Sequence, residues 1–324
     1  MPNGFNPENS SSNTMQHIKS ISLAILLLAS VLYLPSCNLT GAKKNSNSTS
    51  SSPTKVLDQT PDGRLVEELT TSYLNKTPAR AVATKLTLEQ AQALQDQFVQ
   101  QLSSSLGNVV GYKAGLTNPA AQQRFKVSEP LRGVLLEKML LKSGAVVPAN
   151  FGARPVYEGD LMVRVGSEEI NSATTPKEAL AALDAVIPFM ELPDLVYDPN
   201  VSLDGPALAA INVGARLGVL GTPIPLSATP DWEERLKNIK IVMVDQAGNE
   251  LAVGKSSALL GNPLQVVLWL KDSLKASGKV LNKGDLLSLG SMTPLVPVKS
   301  GTTIRAQYIG LYPKAKVEIS VSFE

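Results

Sequence analysis

"PVYEGDLMVRV", residues 155–165, alternates core-suited and polar side chains and carries the β-branched and aromatic types that fill a pleated surface. The pattern predicts a strand. Glu158 and Asp160 stand two residues apart on it, so both leave one face, with Gly159 making room on the other. Neighbouring carboxylates repel and raise each other's pKa unless something positive sits between them. The pair alone fits a solvated strand face as well as a ligand pair.

Toward the C-terminus, "AVIPFMEL" (185–192) is a second apolar run, ended by Glu191. A lone carboxylate there either reaches water at a strand end or needs a partner or a metal. Between the two runs, Thr175-Pro176-Lys177-Glu178 supplies an N-cap, a proline at the first helical position and an N3 acid, which predicts a helix through Leu183. Upstream, Thr87 and Gln90 form a capping box that opens a helix through "LEQAQALQDQFVQQLSSSL" (88–106), and Gly107 ends it. "NVVGYKAGL" (108–116) then reads as a buried strand carrying Lys113. Taken alone, that lysine is one that snorkels to solvent from a strand end.

Further on, "IKIVMVDQAGNELAVGK" (239–255) predicts two strands around an Ala-Gly-Asn turn. "NPLQVVLWLKDSLKASG" (262–278) has the 3.6-residue period and a glycine stop of a helix, capped by Asn262. From "GDLLSLGSM" to "KVEISVSFE" the chain is strand-like. Strands dominate without regular βαβ alternation, so the fold class is α+β. Trp232, Trp269, Tyr112 and Tyr157 are read as packing residues.

The 324 residues include 30 basic and 28 acidic side chains, a net charge of +2, with no basic stripe of the kind nucleic acid requires. The one histidine, His17, and the one cysteine, Cys37, both fall in the first 37 residues. Beyond them, a Ser-His-Asp triad, a Cys-His pair and a His/Cys zinc site are all excluded. Carboxylates, lysine, hydroxyls and a hard oxygen-loving metal remain.

His17 and Lys19 lead into an apolar run of 14 residues, Ile21 to Leu34, that closes on Leu34-Pro35-Ser36-Cys37. A membrane-spanning helix needs about 20 residues. The run fits a secretory leader better, and its end resembles a bacterial lipobox whose cysteine becomes the acylated N-terminus. Residues 1–36 are therefore expected to be a lipoprotein signal peptide and 37–60 a Ser/Asn-rich tether. The mature protein would sit in the bacterial cell envelope, held to the membrane through Cys37. The catalytic part is expected at 61–324, with 61–150 as an N-terminal portion and 151–324 as a metal-binding β core.

"VVGYKAGLTNPAAQQRFKVSEP", "RPVYEGDLMVRV", "VIPFMELPDL" and "SSALLGNPLQVVLWLKDSLKASGKVLNKGDLLSLGSM" together resemble the fumarylacetoacetate hydrolase superfamily, in the branch of 2-oxopent-4-enoate hydratases and 4-oxalocrotonate decarboxylases. The resemblance implies a mixed, curled β-sheet core (a β-roll) with helices packed outside, assembled as a homo-oligomer. It implies a divalent cation, Mg²⁺ or Mn²⁺, held by Glu158, Asp160 and Glu191, and a catalytic Lys113. Leu116, Asn212 and Ser291 are candidate substrate contacts, and Arg154, just before the acid-bearing strand, is read from its position as a candidate carboxylate clamp. The implied activity is a metal-dependent hydro-lyase on a 2-oxo or 2-hydroxydienoic acid, with Lys113 moving a proton. The superfamily's decarboxylases and C–C hydrolases are the alternatives within it.

Two positions depart from the family pattern. Leu131 stands where hydratases of this branch carry an aspartate, and Asn212 aligns roughly with a serine. Glu129 is a poor substitute for the lost acid, since it reads as a surface charge. Leu131 and Asn212 favour a lipid-anchored protein that binds a small carboxylate without turnover, whereas the intact Lys113 favours an enzyme.

Overall fold

The computed structural model describes residues 61–80, 86–312 and 317–324. The leader, the tether and Cys37 lie outside the described residues. The described residues cluster as one compact unit. In chain order the elements are helices α1 (Pro61–Asn75) and α2 (Leu88–Leu106), strand β1 (Val109–Gly115), helix α3 (Pro119–Phe125), and strands β2 (Leu131–Leu136), β3 (Leu140–Lys142), β4 (Ala145–Val147) and β5 (Val156–Val165). Then come helix α4 (Pro176–Ala181), strand β6 (Leu183–Leu192), helix α5 (Gly205–Ala210), strands β7 (Leu217–Leu220) and β8 (Ile224–Pro225), and helix α6 (Pro230–Lys237). Strands β9 (Lys240–Val244) and β10 (Glu250–Lys255), helix α7 (Pro263–Ala276), and strands β11 (Leu286–Ser291), β12 (Val296–Pro297), β13 (Thr302–Ile309) and β14 (Val317–Phe323) complete the chain. None of the described helices is long and apolar enough to cross a membrane.

Local signals set the helix ends. Reciprocal capping boxes open α2 at Thr87/Gln90 and α4 at Thr175/Glu178, and Asn262 accepts the Leu264 amide at 3.0 Å to open α7. Helix α4 stops at Ala181, two residues short of the predicted end. Leu183 and Ala185 are already paired with Val165 and Arg164 of β5, so strand pairing overrides the helical pattern there.

Two sheets form the body. The larger runs β2-β1-β11-β5-β6-β7-β3, with β12 on β5 and β8 on β6, and the smaller runs β10-β9-β13-β14-β4. Both parallel and antiparallel pairs occur in each, as an α+β fold with a mixed sheet requires. The two portions expected on either side of residue 150 share one sheet. Strand β1 lies before that residue, β11 after it, and the two are hydrogen-bonded neighbours.

The main core fills the space between the sheets. Leu161, Val163 and Val165 of β5 meet Ile241, Met243, Ile304 and Ala306 there, and Tyr157 stacks on Phe323 at 5.7 Å. Gly159 marks the close approach, since a Cβ on it would lie 2.3 Å from the Ile241 Cδ1. Tyr308 crosses from the small sheet, and its hydroxyl lies 2.8 Å from the Asp160 carbonyl and 2.6 Å from the Phe189 carbonyl. That contact ties β5 to β6 at the level of the acids. On the other face of β5, Met162 joins Leu135, Ala185, Ile187 and Phe189 in a smaller apolar cluster, and the acids stand beside it. Helices α1, α2 and α5 cover β2 with a third cluster, which includes Leu131.

Candidate active site

Register brings the acids together. Glu158 and Glu191 are direct cross-strand partners, and Asp160 pairs with Phe189 two positions along. Same-face neighbours in such a pair are within side-chain reach. All three are buried, at 7, 0 and 2 % exposure. Strand β1 adds Lys113, itself 3 % exposed, whose Nζ forms an ion pair with Glu191 Oε1 and donates to the Val213 carbonyl at 2.9 Å. A lysine expected to snorkel is instead held inside.

One lysine faces three acids. Burial first, and then the Glu191 charge, push the Glu158 carboxyl up to about 8, against the opposing pull of Lys113. Burial and Glu191 likewise raise Asp160 well above the usual carboxylate range, although Ser288 and the Leu161 amide both donate to it. Glu191 Oε2 is buried with no hydrogen-bond partner. A buried set of oxygens lacking positive charge fits a hard divalent cation.

As the side chains stand, however, no group of three or more His, Cys, Asp or Glu among the described residues forms a ready-made metal cage. The cause is local. Asp160 is turned onto Ser288 and the Leu161 amide, and Glu191 is occupied by the ammonium of Lys113.

A cavity of about 320 Å³ opens above this cluster. Lys113 and Glu158 form its polar inner end, and Leu116, Phe125, Leu208 and Val213 are among its apolar walls. Leu116 and Ser291 line it too. Leu116 takes a φ of 57°, and Gly290 one of 100°, with Thr117 Oγ1 only 2.8 Å from where a Cβ would be. Thr117 and Thr293 also line the cavity, although neither was singled out from the sequence.

Two other candidate contacts lie outside its lining. Asn212 does not line this cavity, because its amide is spent on strand β2. Its Oδ1 accepts the Val134 amide at 2.7 Å and its Nδ2 donates to the Val134 carbonyl at 2.8 Å. It shapes the site indirectly, by fixing the turn that presents the Val213 carbonyl to Lys113. Arg154 also lies elsewhere, in an adjoining cavity, where its Nη1 donates to the Tyr197 and Asp198 carbonyls at 3.3 and 3.5 Å. Leu131 is buried in the helix-covered cluster, and Glu129 is exposed, so neither puts a second acid in the cavity.

The sequence reading also passed over Asp194. Its carboxylate, 0 % exposed, accepts the amides of Ala153, Arg154 and Val196 and shapes the turn entering β5. The signal was an acid in the otherwise apolar "ELPDL".

No family model matches the chain. A 2-keto-4-pentenoate hydratase of Paraburkholderia xenovorans (strain LB400) is 29% identical over 238 residues, covering 72% of this chain and 85% of that protein. A 4-oxalocrotonate decarboxylase of Pseudomonas putida is 26% identical over 227 residues, covering 70% and 84%. The solved 4-oxalocrotonate decarboxylase of Pseudomonas putida G7, complexed with magnesium and adipate, matches with a TM-score of 0.69 and 26% identity over 81% of this chain and 96% of its own. Sequence and fold agree: the chain is similar to the 2-keto-4-pentenoate hydratases and 4-oxalocrotonate decarboxylases, its homologues, and shares the fold of the solved decarboxylase.

Proposed function

We propose that the protein is a metal-dependent lyase acting on a 2-oxo or 2-hydroxydienoic acid, with hydration as its reaction. The observation that supports this is the buried ammonium of Lys113 at the inner end of a largely apolar cavity, beside three buried carboxylates. Glu158, Asp160 and Glu191 would hold a divalent cation such as Mg²⁺ or Mn²⁺, which supplies a Lewis acid for the carboxylate and 2-oxygen of the substrate.

The chain's own groups supply the rest. Lys113 holds and moves the proton at Nζ, aimed by the Val213 carbonyl. Protonation of a dienol at its far carbon gives the ketone, and water then adds across the activated double bond. The walls formed by Leu116, Phe125, Leu208 and Val213 limit competing water. Decarboxylation, the reaction of the other named homologues, is the second reading. It is favoured by Leu131, which removes an acid that could position water.

The test is to incubate the protein with Mg²⁺ and 2-hydroxypenta-2,4-dienoate and follow the dienol absorbance against a Glu158→Ala control. Equal rates for the two proteins refute the assignment. The lipid anchor at Cys37 remains a proposal, supported by the apolar run and the lipobox-like Leu34 to Cys37. Mass spectrometry of the membrane fraction from expressing cells tests it, and an unmodified cysteine there rules it out.

A further inference from the structure

Helix α2 buries Ala91, Leu94, Phe98, Val99 and Leu102, and Gln95 is the one polar member of that set, at 1 % exposure. A carboxamide in an apolar stripe is costly unless its hydrogen bonds are made. Its Nε2 makes two, to the Arg132 carbonyl at 2.7 Å and to Asn212 Oδ1 at 3.2 Å. Gln95 therefore bridges strand β2 and the turn that follows α5.

That turn is strained. Asn212, Val213 and Gly214 are all left-handed, with φ of 55°, 54° and 71°. The conformation suits glycine, and a β-branched valine resists it, so the turn persists only where its surroundings hold it. The Asn212 side chain supplies part of that hold through its two bonds to Val134. Gln95 supplies another, and because Nε2 is a donor it also fixes which end of the Asn212 carboxamide faces the Val134 amide.

What the turn carries is the carbonyl of Val213, which accepts Lys113 Nζ at 2.9 Å. The two residues of β2 gripped in this way, Arg132 and Val134, flank Gly133, the cross-strand partner of Lys113. Neither Gln95 nor Asn212 lines the cavity.

We infer that Gln95 is a positioning residue for the reaction: by clamping the Asn212–Val213 turn to β2, it aims the ammonium of Lys113. This rests on the reading of Lys113 given above. Gln95 touches no substrate and acts only through the lysine.

Steady-state kinetics of the Mg²⁺-loaded full chain on 2-hydroxypenta-2,4-dienoate tests it with Gln95→Met and Gln95→Glu. Methionine keeps the length without a donor, and an ionised glutamate keeps the shape but presents only acceptors to the Arg132 carbonyl and Asn212 Oδ1. The expected result is a fall in kcat of about tenfold in both, with KM and Mg²⁺ affinity changed less than about twofold. In a Lys113→Met background, Gln95→Met should change the residual rate less than about twofold. Amide exchange over 211–215, followed by mass spectrometry in the metal-free chain, should quicken by about tenfold in Gln95→Met. An unchanged kcat in a folded variant with a lowered urea midpoint makes Gln95 purely structural and overturns the inference. Unchanged exchange over 211–215, an equal loss of rate with and without Lys113, or failure of both variants to fold overturns it too, and each leaves the reading of Lys113 standing. Absence of turnover by the unmodified chain refutes that reading and the inference with it.

Discussion

Gly133 lies opposite Lys113 in the β1–β2 register, and its missing side chain is the space through which the lysine stem passes. A Cβ on Gly133 would stand 2.8 Å from Lys113 Cγ and 2.8 Å from the Asn212 carbonyl. The carbonyl belongs to backbone and cannot yield, so the lysine must. Gly133→Ala is expected to lower kcat by about tenfold or more through misplacement of Nζ, since a shift of about 1 Å can cost a hundredfold. Mg²⁺ affinity should change little. Steady-state kinetics with a metal titration checks this, and an unchanged kcat contradicts the placement of Lys113.

Lys113→Met removes both the proposed proton carrier and the partner of Glu191. Its kcat should fall by about 10²–10⁴-fold. Breaking a buried ion pair from one side costs about 3–5 kcal/mol, so the metal-free variant should also unfold at lower denaturant. Added Mg²⁺ should recover much of that loss, because a divalent ion can take over the neutralisation of Glu191. Denaturant melts with and without metal distinguish this from a lysine with a purely catalytic part.

The acid cluster makes metal-free stability depend on pH. Between its ordinary value of 4.5 and about 8, Glu158 keeps a proton in the folded chain that it loses in the unfolded one. The folded state then binds more protons, so stability falls as pH rises through this window, and Asp160 acts in the same direction. Thermal melts in a chelator should show a lower Tm at about pH 8 than at about pH 5.5. With Mg²⁺ the trend should flatten or reverse, because metal competes with protons for the same oxygens. A chelated protein that gains stability toward pH 8 would contradict the raised carboxyls.

Asn212→Ala leaves the amide and carbonyl of Val134 without their partner inside the molecule. Each stranded group costs about 1–3 kcal/mol. The expected result is a large drop in the urea midpoint, with KM rising only as far as the Val213 turn is disturbed. An unchanged midpoint with a raised KM would return Asn212 to the substrate contacts.

How much of this was legible in the sequence depended on whether the deciding interaction was local. Thr87/Gln90 and Thr175/Glu178 announced their helices because a capping box is closed within four residues. Strand β5 and its two acids followed from alternation. The end of α4 did not, because Leu183 and Ala185 answer to β5 and not to their own neighbours. For the site, residue type and spacing pointed to Glu158, Asp160 and Glu191, whereas Lys113 came only from the resemblance, since alone it reads as a snorkelling lysine. Chain order does not reveal that Val134 takes the Asn212 amide and that the Tyr197 turn takes the Arg154 guanidinium. The Val213 carbonyl was invisible, since every residue has one.

Because side chains change sides at each step of a strand, a slip of one residue between β5 and β6 would send Tyr157, Gly159 and Leu161 into the ligand-binding space and drive the acids into oil. The hydroxyl of Tyr308, clasped by both strands, resists that slip. Single-residue insertions or deletions in 157–163 should therefore abolish the centre entirely, with no graded loss, while substitutions at the same positions are absorbed one by one.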